Sequence, residues 1–93
     1  MDNPTPFPLG QVVATPGALQ ALERAEQSPE ELLERHRRCD WGEADAENWA
    51  ANDSAARKGL RLLSSYRLAG GAALWIITEA DRSVTTLLLP SEY

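Results

Sequence analysis

The sequence predicts an α+β fold: a short N-terminal strand, two or three helices, then a three-stranded antiparallel meander packed against the helices. Three observations carry this. Apolar residues recur at helical spacing up to about Lys58 and alternate one by one from Leu60 onward. Helix starts are spelled out at Thr15-Pro16 and at Ser28-Pro29-Glu30-Glu31, each a capping hydroxyl followed by proline. The alternating half is cut twice by turn residues, at Ala69-Gly70-Gly71 and at Glu79-Ala80-Asp81-Arg82-Ser83. Helices followed by a run of strands gather on one face of an antiparallel sheet.

Residues 1–8 hold three prolines and read as an extended tail, leaving residues 9–93 as a single domain. Residues 9–14 (LGQVVA) are β-prone, with two β-branched positions, and form the expected first strand. A short helix follows Thr15, with Leu19 and Leu22 on one face. The second helix opens with a capping box: the Ser28 hydroxyl accepts from the Glu31 amide, and the Glu31 carboxylate reaches back to Ser28. Leu32, Leu33 and His36 form its inward stripe, and Arg35, Arg37 and Arg38 sit at the end where positive charge is favoured. Asp40-Trp41-Gly42 is a turn. Asp45 caps a third helix over residues 46–58, closed by Gly59, with Ala44 and Trp49 spaced as a hydrophobic staple. In the first meander strand Leu60, Leu62, Ser64, Tyr66 and Leu68 face one way, and Arg61, Leu63, Ser65 and Arg67 the other. Residues 72–78 are apolar on both faces, as suits a central strand, and residues 84–89 form the last, ended by Pro90. The first strand is free to join either edge of the meander.

Composition bounds the function. The chain has 93 residues, 43% hydrophobic and 25% charged, enough for one modest core. Its longest apolar run, residues 72–77, is far below the roughly 18 residues of a membrane span. The acidic, proline-rich start has no signal-peptide pattern, and the single cysteine, Cys39, suits a reducing compartment, so a cytoplasmic protein is expected. The net charge of −5 is uneven: residues 1–53 carry −7 and residues 54–93 carry +2. Asp40, Glu43, Asp45, Glu47 and Asp53 fall in a window without Lys or Arg. Such a field repels phosphates, so direct nucleic-acid binding is not expected; it suits solvated helix faces or a basic protein partner.

Few residues carry chemistry. His36 and Cys39, with Asp40 as a third group, are too few for a zinc site and lack a partner that would orient a nucleophile–base pair. Glu79 and Asp81 share one turn and offer paired carboxylates for a divalent metal, against the simpler reading of a hairpin loop in which Asp81 and Ser83 bond their own backbone. Of three tryptophans, Trp49 and Trp75 lie on apolar faces and read as core. Trp41, in the acidic turn, reads as the most exposed, either a protein-binding anchor or a lid over the helix–sheet seam. Phosphate loops, nucleophile elbows and zincin motifs are absent from the sequence.

At Asp40-Trp41-Gly42, at residues 75–86 (WIITEADRSVTT), and in the opening residues 9–18 and closing residues 88–93, the chain resembles a family of small uncharacterised bacterial proteins carried on plasmids and other mobile elements. Members are often labelled "plasmid-related protein" or "type I restriction endonuclease subunit M". The second label does not carry over as an activity, because a methyltransferase needs a cofactor-binding domain and an Asn/Asp-Pro-Pro-aromatic motif that this chain lacks. The family usually has glycine at the position of Cys39, and it supplies no catalytic residues.

The expected function is therefore that of a non-enzymatic, cofactor-free accessory protein of mobile elements, monomer or homodimer. It would bind a basic nucleic-acid-processing or defence protein through Asp40, Trp41, Glu43, Asp45 and Glu47, and inhibit it. The alternatives are a small metal-dependent hydrolase or nuclease using Glu79 and Asp81, and an mRNA-cleaving toxin-like fold with Arg61, Arg67 and Arg82 on a sheet face.

Overall fold

The computed structural model describes residues 6–93, and its element order is β1 (Gln11–Ala14), α1 (Pro16–Ala25), α2 (Pro29–Arg37), α3 (Ala46–Lys58), β2 (Leu62–Arg67), β3 (Ala73–Thr78), β4 (Val84–Leu88) and a 3-10 turn, Pro90–Glu92. The fold is α+β, and the sheet has four strands rather than three, in the order β1-β4-β3-β2. β2, β3 and β4 form the antiparallel meander. β1 joins its β4 edge in parallel, Val12 opposite Thr85 and Ala14 opposite Leu87. A parallel neighbour needs a long crossover, and here everything from α1 to β3 forms it.

Helix starts follow their local chemistry. Thr15 accepts from the Ala18 amide at 3.1 Å and Asp45 from the Asn48 amide at 2.8 Å. Ser28 also caps, but with Glu30 rather than Glu31: its oxygen accepts from the Glu30 amide at 3.3 Å, and its hydroxyl donates to the Glu30 carboxylate. That contact closes a tighter ring and displaces the expected box. Gly59 ends α3 in the left-handed region. Glu26 and Cys39 end α1 and α2 in the same way, at φ of 55° and 67°. At the close of α2 the Cys39 amide donates to the His36 carbonyl and the Asp40 amide to that of Arg35, the paired bonds of a Schellman motif.

α1 and α2 cover one sheet face. Ala18, Leu22 and Leu32 pack there on Tyr66, Leu74, Ile76 and Leu87. Of the two leucines expected to face inward from α1, Leu22 does and Leu19 is exposed. A second cluster gathers Phe7, Cys39, Trp41 and Leu62, with Ala44 and Trp49 at its margin. The tail expected over residues 1–8 is thus corrected at its inner end: Phe7 is buried, and its amide reaches the Arg37 carbonyl. Its other part, residues 1–5, lies outside the described residues.

The outer edge of β2 is closed. The Asn52 side chain, from α3, donates to the Leu63 carbonyl at 2.9 Å and accepts from the Leu63 amide at 3.2 Å, bonding as a neighbouring strand would. Two residues on, the Ser65 amide donates to the Trp41 carbonyl and the Glu43 amide to the Ser65 carbonyl. Gly42 lies between these contacts at φ 72°, and a Cβ there would stand 2.0 Å from the Ser65 carbonyl oxygen. Only glycine lets the turn approach the strand this closely. No described helix is long and apolar enough to cross a membrane.

Candidate functional site

The second sheet face carries Leu63, Ser65, Trp75, Ile77 and Leu88, and only part of it is covered. Tyr93 stands edge-on to Trp75, with ring centroids 5.6 Å apart. Beyond that contact, α3 and the chain before it form one wall of a groove of about 490 Å³, lined by Glu43, Ala44, Asp45, Asn48, Ala51, Asn52, Leu63, Ser65 and Trp75. Its floor is the sheet surface: Ser65 and Trp75 are direct cross-strand partners, and Leu63 is the next residue on that face, so Leu63 and Trp75 make it largely apolar. Its rim is acidic. Glu43 is exposed and pairs with Arg67 at 3.2 Å. Asp45 is exposed too, with one oxygen spent on its cap.

Of the five residues expected to bind a partner, the structure brings Glu43 and Asp45 to this groove. Glu47 sits exposed in the first turn of α3 and does not line it. Asp40 is held elsewhere: Arg35 donates to one carboxylate oxygen at 2.8 Å and the Gly42 amide to the other at 3.1 Å. The Arg35 guanidinium keeps its carboxyl below the usual carboxylate range. Trp41 overturns its expected exposure, because it is completely buried. Its indole donates to Asp53 at 2.8 Å, and its ring stacks on Phe7 and meets His36 edge-on. Trp75, expected in the core, is instead half-buried on the open face. Leu63 and Trp75 were not among the expected contacts. An apolar Leu63 among Arg61, Ser65 and Arg67 was the available signal.

His36 is fully buried, with Nδ1 2.5 Å from Ser64 Oγ and Nε2 2.9 Å from Thr78 Oγ1. The proton placement follows from the far end. Thr85 donates to the Leu9 carbonyl at 2.7 Å, so at 2.7 Å it accepts from Thr78. Thr78 in turn accepts from Nε2–H, and Ser64 donates to Nδ1. The histidine is neutral, and burial pushes its pKa down to about 3, with Arg82 adding to the shift. Both ring nitrogens are engaged, so no pair forms with Cys39, whose buried thiol is pushed up by desolvation. Among the described residues no three His, Cys, Asp or Glu side chains cluster as metal ligands do.

The Glu79–Ser83 turn follows the hairpin reading. Asp81 accepts from the Ser83 amide at 3.0 Å and from its hydroxyl at 2.6 Å, while Glu79 lies 3.6 Å from Arg61. Arg82 donates to the carbonyls of Leu60, Glu79 and Ala80 and lies over the Phe7 ring. Arg67 is shared between Glu43 and the Gly71 carbonyl. The three arginines therefore point to separate local partners. No family model, curated protein or solved structure matches the chain.

Proposed function

We propose that the protein is a non-enzymatic binding module, an accessory of mobile genetic elements, that takes a basic and apolar segment of a partner protein into the groove between α3 and the open sheet face. The observation that carries this reading is the meeting of the acidic rim, Glu43 and Asp45, with the apolar floor, Leu63 and Trp75, in one groove. An aliphatic side chain laid on Trp75 gains by leaving water, and a Lys or Arg beside it meets carboxylates, displacing Arg67 from Glu43. The charge of −7 on residues 1–53 opposes phosphate and favours a cationic protein surface. Nucleic-acid-processing and defence proteins carry such surfaces where they hold their substrates, and a bound acidic protein inhibits them by occupation. The mobile-element role rests on the resemblance in residues 9–18, 40–42, 75–86 and 88–93.

The test removes charge without removing the helix cap. Glu43→Gln with Asp45→Asn leaves a good N-cap at position 45. Calorimetric titration with a Lys/Leu peptide is expected to show binding that weakens as salt rises. It should weaken by roughly tenfold or more in the double variant and in Trp75→Ala. Equal affinity in the double variant, or equal binding of a Glu/Leu peptide, overturns the reading.

A further inference from the structure

The two edges of the sheet are unlike. That of β2 is blocked by Asn52 and by the turn at Trp41–Glu43. That of β1 is open: Gln11 and Thr15 donate to the Ser83 and Leu87 carbonyls of the β4 side, so the alternating Val12 and Ala14 present their N–H and C=O groups outward. Among the described residues, no hydrogen bond reaches these four groups.

β1 also has the wrong chemistry for an edge. Edge strands are commonly defended by shortness, lysine, proline or a bulge; Gln11–Ala14 is short, with four residues, but has none of the others. Val12 and Val13 project to opposite faces and are 43% and 39% exposed, so both faces of the strand are apolar and wet. Strands apolar on both faces belong inside a sheet. Leu19, 54% exposed, adds a third large aliphatic within the same short stretch.

We infer that β1 pairs with β1 of a second copy of this chain, antiparallel about a two-fold axis, to form a continuous eight-stranded sheet. The occupant is a second copy for two reasons. A two-fold through Val13 makes the edge self-complementary: Val12 and Ala14 of one copy exchange amide–carbonyl bonds with Ala14 and Val12 of the other, and the two Val13 side chains meet as a close β-branched pair. The strand itself carries no charge, so in a chain of net charge −5 no like charges face one another across the paired strands. Because the β2 edge is blocked, assembly stops at two rather than growing into a fibre. The inference is independent of the groove, which lies at the opposite edge.

Sedimentation equilibrium of the full chain is expected to give twice the 10.2 kDa chain mass. Val13→Lys sets like charges face to face without touching the bonds to β4, and should weaken the dimer by at least roughly tenfold. Val13→Thr, still β-branched, should keep it. A wild-type chain that stays at the single-chain mass at every concentration overturns the inference, as does an undiminished dimer in Val13→Lys. If Val13→Lys fails to fold, amide exchange in the wild type decides. Protection of Val12 and Ala14 should rise with concentration while that of Val13 stays constant, and concentration-independent exchange at all three overturns the dimer.

Discussion

His36 and Trp41 show how single residues are fixed here by partners distant in the chain. The histidine is neutral because burial, and after it the charge of Arg82, opposes protonation, and this sets a pH dependence with a definite sign. Its folded pKa lies near 3, against about 6.5 when unfolded, so between those values the unfolded chain binds the extra proton. The stabilisation is fully present above pH 6.5 and drains away as pH falls, at up to about 1.4 kcal/mol per pH unit. From pH 6.5 to 5 the depressed carboxyls such as Asp40 remain ionised, so urea midpoints should fall over that window in the wild type. They should fall much less in His36→Gln. Trp41 was legible only as a tryptophan in an acidic turn. What buries it, the Phe7 ring and the Asp53 carboxylate, lies far along the sequence and leaves no local pattern. Trp75 departs from its expected place for the opposite reason: its strand is apolar on both sides, and apolarity does not say which face the helices cover.

Elements announced their beginnings better than their ends. Thr15, Ser28 and Asp45 cap as their chemistry requires, and Asp45 with Gly59 bounds α3 as read from the sequence. The closing residues of α1 and α2 are Glu26 and Cys39, neither of which advertises a left-handed backbone. The closure of the β2 edge was equally hidden, since Asn52 is an ordinary helix residue until Leu63 arrives beside it. Asn52→Ala leaves the Leu63 amide and carbonyl without this partner in a half-buried seam. The expected loss is about 1–3 kcal/mol in a denaturant titration.

At the scale of the whole molecule, the chain closes on itself. The segment of residues 7–14 packs on the turn before α3 and then borders the last strand, so it ties together elements far apart in the sequence. Alternation predicted the meander, but a parallel strand joined through the entire intervening chain has no sequence signature. Phe7 is where this closure is felt most, wedged against His36 and Trp41 and capped by Arg82. Phe7→Ala should cost about 3–5 kcal/mol, read as a shift in unfolding midpoint. In a domain of this size, that is a large share of the total stability.

The hydroxyl chain through His36 runs in a single sense, from Ser64 on β2 by way of α2 to Thr78 on β3, Thr85 on β4 and the Leu9 carbonyl. The chain of bonds thus joins α2 to three strands, and the proton on Nε2 is its link between α2 and β3, in a chain with a single histidine. In a one-bond ¹H–¹⁵N spectrum that buried proton is expected as a single, slowly exchanging imidazole resonance needing no label beyond nitrogen. Its loss is expected to time the parting of α2 from β3, which it bridges.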